Sequence, residues 1–240
     1  RFTGKENVAD VSFIGDEIVK SLIIVSSPRS GSTMFFEALE KNSDLCSIGG
    51  ESHGLIESIE ALHPISQNYD SNVLTDKHCS QEISQELHAR FYQHAVKPDG
   101  SKPKPVEPMR LLEKTPKNAL RIPFMKHLFP DAQFVYLYRD PKQVISSMID
   151  AWQSGRFITY PNLPGWTELP WSLLLIPGWR ELIGKPLHYV VANQWATTTR
   201  IMLDDLQTLG QNQIIKVRYE DLLLNTNTEL NRVCTYAGIR

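Results

Sequence analysis

Residues 22–33 read LIIVSSPRSGST, and this stretch decides the fold. Leu22–Val25 is fully apolar and rich in β-branched side chains, which is typical of a short buried strand. The next residues, 26–30, are serine, proline and arginine, which favour a turn. Residues 33–39 then place apolar side chains at helical spacing. The stretch therefore predicts a strand, a loop and a helix in immediate succession.

The same alternation continues along the chain. Apolar, β-branched and aromatic runs predict further strands at 110–113, Gln133–Tyr138 and Ile214–Arg218. Helical patterns cover 118–129, 142–153, 191–209 and 225–237, with Asn225 as a possible N-cap. Alternating strands and helices are typical of a parallel sheet covered on both faces. We therefore predict an α/β fold with a P-loop-like central parallel sheet flanked by helices on both faces.

The composition is that of an ordinary globular chain. There are 240 residues, 41% of them hydrophobic, with 25 basic against 27 acidic side chains and a formal charge of −2. A near-neutral charge argues against the broad basic surface that nucleic acid requires, but it is compatible with a few arginines around a small anion. The longest apolar runs are far shorter than the ~20 residues of a membrane-spanning helix. We expect one domain over residues 1–240, no nucleic-acid partner and no transmembrane segment.

Two segments interrupt the alternation. Residues 96–108 contain four prolines and a glycine, so we predict a surface loop there rather than a linker between two domains. Residues 154–186 contain five prolines, but they also contain three tryptophans. A long apolar segment of this kind indicates either a binding lid or ordinary packing against the core or another subunit. The sequence leaves both interpretations open.

The three cysteines, Cys46, Cys79 and Cys234, are odd in number and widely separated. They lack the close spacing of zinc ligands, so we expect buried thiols and no metal site. Free thiols favour a reducing compartment, and we therefore expect a cytoplasmic protein. A removed signal peptide leaves no trace in such a sequence, so that possibility stays open.

The loop after the first strand has the composition of an anion site. Backbone N–H groups at a helix N-terminus attract negative charge, Gly31 lets the backbone come close, and the Ser32 and Thr33 hydroxyls add hydrogen bonds. Aligned with the P-loop pattern G-x-x-x-x-G-K-[ST], however, the loop has Ser26 at the first glycine and Ser32 at the lysine. Its positive side chain is instead Arg29. An ATP or GTP hydrolase is therefore disfavoured, and the plainer alternative is an N-capping turn with a solvated arginine.

A second cluster follows the aromatic strand at Gln133–Tyr138. Pro141 suits the first turn of a helix, so Arg139 ends the strand and Ser147 lies about a turn and a half into that helix. An arginine and a hydroxyl in these places are able to hold one phosphate from two sides. Asp140 has the simpler role of capping the helix. The cluster indicates a phosphate site only in combination with the loop after the first strand.

Together these motifs resemble those of the sulfotransferase superfamily, in the branch with P-R-S-G-[ST]-[ST], which is distantly like the tyrosylprotein sulfotransferases. The loop for the 5′-phosphosulfate corresponds to Pro28, Arg29, Ser30, Gly31, Ser32 and Thr33. The 3′-phosphate motif corresponds to Arg139 and Ser147, and the family's segment near the adenine to residues 217–222. In that segment Tyr219 is either an adenine contact or a core tyrosine. The resemblance covers about residues 22–238 and implies a sulfotransferase that uses 3′-phosphoadenosine 5′-phosphosulfate (PAPS), releases PAP and needs no metal.

The resemblance also implies a second cation and a general base. Lys114 ends a predicted strand where relatives carry a lysine that faces the leaving bridging oxygen; the alternative is a solvated surface lysine. Cytosolic relatives carry a histidine two residues later, but here Pro116 stands there, so the base must come from elsewhere. Glu51 matches the catalytic glutamate of tyrosylprotein-type enzymes, and His53 is the second candidate.

The function predicted on this basis is the transfer of a sulfuryl group from PAPS to a hydroxyl or amine by in-line displacement. The alternatives are a non-catalytic binding module with the same fold and a small-molecule kinase. The acceptor stays open among a small molecule, lipid, carbohydrate, peptide or carrier-tethered intermediate. Relatives continue into a C-terminal segment that closes over the 3′-phosphate, and we expect this chain to lack it.

Overall fold

A four-stranded parallel sheet forms the centre of the protein, of which our computed structural model describes residues 18–104 and 107–240. In chain order the strands are β1 (Leu22–Val25), β2 (Leu112–Lys114), β3 (Gln133–Tyr138), β4 (Ile158–Tyr160), β5 (Trp171–Ser172) and β6 (Ile214–Arg218). The parallel strands lie side by side in the order β2-β1-β3-β6, and β4 pairs with β5 as a separate antiparallel ribbon. Leu22 is in register with Leu112 on one side and with Gln133 on the other, so β1 is an interior strand.

Helices cover both faces of the sheet. In chain order they are α1 (Ser32–Leu39), α2 (His53–Glu57), α3 (Gln81–His94), α4 (Ile122–Leu128), α5 (Pro141–Ser154), α6 (Leu187–Gln207), α7 (Tyr219–Leu224) and α8 (Thr226–Ala237). Side chains alternate along β1, so Ile23 and Val25 pack in one cluster with α3 and α4, whereas Leu22 and Ile24 pack in another with α1 and α8. Burial on both faces explains why β1 is continuously apolar. The predicted α/β fold is confirmed.

The predicted elements are largely present, with shifts that have a local cause. β3 and β6 match their predicted bounds, but the strand expected at 110–113 lies at Leu112–Lys114. The helix expected at 118–129 is divided into a 3-10 turn, Pro116–Leu120, and α4. Pro123 lacks an N–H and is tolerated only in the first turn of a helix, so the helix has to begin anew at Ile122.

One cap and one helix differ from the predictions. Asn225 occupies the N-cap position of α8, as predicted, but its side chain makes no capping hydrogen bond. α3 lies where no helix was predicted. Its Ser80 hydroxyl accepts from the Ile83 N–H at 3.3 Å, and the buried Leu87 and Phe91 continue the four-residue spacing of Ile83. A capping serine before spaced apolar residues was therefore the available signal.

The tryptophans of the 154–186 segment belong to the core. Trp171 and Trp179 are fully buried, and with Trp152 and Trp166 they form a series of edge-to-face contacts. Ordinary packing is thus the correct interpretation for these side chains. Other residues of the same segment, around β4, line the cavity described below.

The structure also bears on the predictions for the 96–108 loop, the cysteines and membrane-spanning helices. In the loop predicted at 96–108, the described residues contain no helix or strand beyond a single bridge at Val96, and residues 105–106 lie outside the described part. All three cysteines are free thiols, two of them buried and Cys234 half-buried. Among the helices of the described ranges, none is both long and apolar enough to cross a membrane.

Candidate active site

The predicted site residues meet at one edge of the central sheet. The 26–31 loop follows β1, Lys114 is the last residue of β2, Arg139 follows β3 and Tyr219 follows β6. Parallel sheets bind ligands outside this edge, where the strands end. A cavity of about 990 Å³ opens there. The predicted residues that line it are Pro28, Arg29, Gly31, Ser32, Thr33, Glu51, His53, Arg139, Ser147 and Tyr219.

Two left-handed residues shape the loop that follows β1. Arg29 has a φ of 67° and Gly31 a φ of 91°. Glycine is required at position 31, because a Cβ there would lie 2.2 Å from Cε2 of the Tyr219 ring. Gly31 is also the N-cap of α1, and no side chain caps that helix. The first-turn N–H groups therefore lack a side-chain acceptor, which is the geometry of an anion site.

Ser30 belongs to the same motif but does not line the cavity. Its hydroxyl is buried and shares a hydrogen bond with the Ser27 hydroxyl, with 3.0 Å between the two oxygens. The hydroxyl of Ser30 thus maintains the shape of the loop.

Arg29 connects the two predicted phosphate motifs. Its Nε donates to Ser147 Oγ at 3.2 Å, although the two residues are 118 positions apart. Its guanidinium carbon lies 4.6 Å from the centre of the Phe157 ring, a cation–π distance. Its carbonyl oxygen is 3.4 Å from Nη1 of Arg139, which donates to it. The structure therefore brings the loop after β1 and the start of α5 together.

Arg139 lies against Tyr219. The guanidinium carbon is 4.6 Å from the centre of the tyrosine ring, and Nε and Nη2 donate to Gln143 Oε1 at 3.1 and 2.8 Å. Tyr219 is half-buried, packs against the hydrophobic cluster on its inner side and lines the cavity on the other. Both interpretations of Tyr219, a ligand contact and a core tyrosine, fit parts of this setting.

Lys114 is buried beneath the cavity rather than solvated. Its side chain is 8% exposed, which excludes the surface-lysine alternative. Its Nζ is 3.4 Å from Thr33 Oγ1 and 3.2 Å from Glu51 Oε1. The ammonium group thus joins the N-terminal turn of α1 to the carboxylate expected to act as the base.

Glu51 lies between Lys114 and His53. Its Oε2 is 3.4 Å from His53 Nδ1, and its side chain is 38% exposed. The hydrogen bond with His53 lowers the pKa of Glu51, partial burial raises it, and Lys114 lowers it further, so the net pKa lies below its ordinary value. The carboxylate is therefore ionised at neutral pH, as a proton acceptor must be.

A buried network that the sequence did not reveal positions Glu51. Glu113 is fully buried, and its Oε1 accepts from Ser52 Oγ at 2.6 Å and from Asn118 Nδ2 at 2.9 Å. The Ser52 N–H donates to Thr115 Oγ1 at 2.7 Å. Burial raises the pKa of Glu113. These bonds attach the turn that carries Glu51 to the end of β2, next to Lys114.

A model described as the sulfotransferase family matches residues 21–240. The chain belongs to the sulfotransferase family. The matched residues include the loop after β1, the β2 lysine, the β3–α5 cluster and the segment around Tyr219.

Three individual proteins resemble this sulfotransferase-family protein at low sequence identity. Protein-tyrosine sulfotransferase A of Caenorhabditis elegans is 23% identical over 130 residues, which are 54% of this chain and only 28% of that protein. The sulfotransferase domain from the curacin biosynthetic pathway superposes with a TM-score of 0.54 at 18% identity, over 93% of this chain and 75% of the other. A sulfotransferase of Mycobacterium tuberculosis H37Rv gives 0.56 at 13% identity, over 94% and 69%. These likenesses show a common fold.

A second group of charged residues, which the sequence did not reveal either, lies partly on and partly behind the cavity wall of this sulfotransferase-family protein. Glu57 accepts from Lys117 Nζ at 2.7 and 2.8 Å and from Arg121 Nη2 at 2.5 Å. We call these three residues the charge triad. Burial raises the pKa of Glu57, but Arg121 and Lys117 outweigh burial, so the net pKa is lowered. No local spacing connects residue 57 with residues 117 and 121, so only the fold reveals the triad.

The same site shows no arrangement typical of a metal centre. Across residues 18–104 and 107–240, no three His, Cys, Asp or Glu side chains converge as ligands for an ion would. The polar groups that do converge are mainly cations and N–H donors, which suit an anionic ligand.

Proposed function

We propose that this member of the sulfotransferase family transfers a sulfuryl group from PAPS to an acceptor hydroxyl or amine by in-line displacement. One observation carries the proposal. The Lys114 ammonium lies within 3.4 Å of Thr33 Oγ1 on the anion loop and within 3.2 Å of the Glu51 carboxylate. A cation beneath the cavity therefore lies close to the N–H donors and the base on the cavity wall, as transfer of an anionic group requires.

The residues of the cavity fit the nucleotide. PAPS supplies the sulfuryl group, and its 5′-phosphosulfate suits the free N–H groups before α1. The residues proposed to hold this part are Pro28, Arg29, Ser30, Gly31, Ser32 and Thr33. Arg139 and Ser147 would hold the 3′-phosphate, and the exposed side of the Tyr219 ring would contact the adenine. The Arg29–Ser147 hydrogen bond supports this assignment, because it brings the two proposed phosphate motifs together at one cavity.

The proposed chemistry divides among three residues. The acceptor oxygen forms a bond to sulfur while the bond from sulfur to the bridging phosphate oxygen breaks. Glu51 takes the proton from the acceptor hydroxyl, and Lys114 stabilises the negative charge that develops on the bridging oxygen. Arg29 and the loop N–H groups hold the remaining oxygens. Because these residues supply the positive charge, the mechanism does not call for a metal ion.

The proposal also covers the domain organisation of the chain and its cellular location. A single domain over the whole chain is supported by the family match over residues 21–240. A cytoplasmic location is supported by the three free thiols, since a reducing compartment keeps thiols free.

Titration with PAP tests the proposed function. By calorimetry, PAP should bind with one site per chain, and ATP with magnesium should neither displace it nor be hydrolysed. Arg29→Ala should weaken PAP binding by about 10-fold or more, because it removes a charge-assisted contact. Arg232→Ala is the matched control, because Arg232 lies on α8 and pairs with Glu229 there. Absent PAP binding overturns the proposal, tight binding without transfer of labelled sulfate indicates a binding module, and ATP turnover indicates a kinase.

Glu51→Gln separates the two candidate bases. We expect a decrease in kcat of about 100-fold or more with little change in PAP affinity, because a general base contributes to the transition state and not to nucleotide binding. His53→Gln should have the smaller effect, since His53 contacts the Glu51 carboxylate at 3.4 Å and acts through it. Steady-state kinetics with labelled PAPS measure both. Wild-type turnover in Glu51→Gln would transfer the role of base to His53.

A further inference from the structure

Two members of the charge triad, Glu57 and Lys117, lie on a part of the cavity wall that the residues assigned to the nucleotide leave unused. Glu57 and Lys117 line the cavity together with aromatic and aliphatic side chains, namely Tyr69, Tyr160, Leu173 and Leu174. None of these belongs to the motifs assigned to PAPS. This part of the wall is therefore available to the acceptor.

The triad has an excess of one positive charge. Two cations, Lys117 and Arg121, share the single carboxylate of Glu57. All three side chains are largely buried: Lys117 is 9% exposed, Arg121 0% and Glu57 12%. An uncompensated charge in such a place is costly unless a partner of opposite sign is present. A single negative charge on a ligand would balance the group.

The hydrogen-bond donors of the triad are also incompletely used. Arg121 Nη1 is buried and has no partner among the described residues. The Lys117 ammonium has three N–H donors, and its hydrogen bonds in the described structure go to the one carboxylate of Glu57. Its Nζ lies 5.4 Å from the centre of the Tyr160 ring, at the edge of the cavity. Lys117 is therefore the cation of the triad that a ligand in the cavity can reach.

The apolar surface beside Lys117 indicates the chemical character of the rest of the ligand. Tyr160 is 8% exposed, and Asn72 Nδ2 donates to its hydroxyl at 2.6 Å, so the ring is held rigidly. Tyr69 packs edge-on against it, with 6.0 Å between ring centres. Leu173 and Leu174 complete this wall. A rigid apolar surface next to a cation fits a ligand with a hydrocarbon body and a negatively charged end.

Resting on the sulfuryl transfer proposed above, we infer that the acceptor is a small hydroxy acid. Its carboxylate would pair with Lys117, its hydrocarbon part would lie against Tyr69, Tyr160 and the two leucines, and its hydroxyl would reach Glu51 and Lys114. A carboxylate fits better than a phosphate, because one negative charge balances the triad and a dianion exceeds it. Lys117 is then a residue that determines acceptor specificity.

Matched acceptors test the inference. Straight-chain ω-hydroxy acids of 4 to 12 carbons are compared with their primary amides, which keep the hydroxyl and the chain and lose the charge. We expect the best acid to exceed its amide by about 10–100-fold in kcat/KM for transfer, and in affinity for the PAP-loaded protein, as a hydrogen bond to a charged group would give. Acids and amides that agree within about twofold in both measurements overturn the inference.

The Lys117→Gln variant tests whether the preference for acids depends on Lys117. This variant leaves Glu57 and Arg121 as a neutral pair, so we expect it to fold, to bind PAP within about twofold of wild type and to lose the preference for acids. Lys41→Gln, a change at an exposed lysine, is the matched control. A preference for acids that survives Lys117→Gln, or a loss of PAP affinity in that variant, contradicts the assignment. If the variant does not fold, the wild-type comparison of acids with amides decides alone. Failure of PAP to bind wild-type protein would instead refute the proposed function.

Discussion

Lys114→Ala should lower kcat for sulfuryl transfer by about 10²–10³-fold while the chain stays folded and binds PAP. The reason is the role proposed for its ammonium, which is 8% exposed and 3.2 Å from Glu51 Oε1, in stabilising the negative charge on the bridging oxygen. A preorganised donor in such a place acts mainly on the transition state, and the loss of one has effects of this size. Single-turnover kinetics with labelled PAPS give the rate of the chemical step directly.

The control for this variant is Lys142→Ala. Lys142 is exposed in the first turn of α5, close to the phosphate motif but outside the cavity lining, and we expect turnover within about twofold of wild type. A Lys114→Ala protein with turnover near that of wild type would remove Lys114 from the mechanism.

The same variant has a consequence for the pH profile. Lys114 is one of the groups that hold the pKa of Glu51 below its ordinary value, so its removal lets that pKa rise. A base must be deprotonated to act, and activity therefore falls as the pH drops through its pKa. The acidic limb of the residual activity should lie at higher pH in Lys114→Ala than in wild type.

Glu57→Gln should reduce the free energy of unfolding by about 3–5 kcal/mol. The substitution removes the only carboxylate of the charge triad and leaves Lys117 and Arg121 buried without the anion that bonds to both, which is the costly way to break a buried ion pair. Urea denaturation followed by circular dichroism measures the change. Glu86→Gln is the control, because Glu86 pairs with Arg90 on the surface of α3 at 50% exposure, where such pairs contribute about 0–1 kcal/mol.

The pH dependence of this effect has a definite sign. The pKa of Glu57 in the folded protein lies below its ordinary value of 4.5. Its contribution is therefore present above about pH 4.5 and is lost as the pH falls towards the folded-state pKa. The difference between wild type and Glu57→Gln should shrink on acidification. A difference below about 1 kcal/mol at neutral pH would show that the triad is not a buried ion group of the kind described.

Local pattern was sufficient for the parts of the site that are contiguous in sequence. Leu22–Val25, the turn and the helix that follows are read from neighbouring residues, and parallel strands bring their carboxyl ends to one edge without further information. Arg139 and Ser147 were found in the same way, because both lie where β3 passes into α5. The sequence was enough to predict that these two residues lie near Arg29, whereas the interatomic distances could be obtained only from the structure.

The rest of the site depends on packing between distant segments. Glu57 meets Lys117 and Arg121 only because α2 lies against the residues that follow β2, and such a contact has no signature in local spacing. Glu113 illustrates the same limit: its side chain is fully buried, but its partners Ser52 and Asn118 are set by tertiary structure. The division of the predicted helix at Pro123 is the opposite case, since the proline was visible throughout.

The contact between Gly31 and Tyr219 makes the two positions genetically interdependent. The tyrosine ring fills the space that a Cβ at position 31 would need, so any side chain there is excluded as long as the ring stays. A smaller residue at 219 would remove this obstacle, and only the cost of a φ of 91° would then remain at position 31. Substitutions at position 31 should therefore be tolerated first in sequences that have already lost Tyr219, and the two positions should change in that order as the protein diverges.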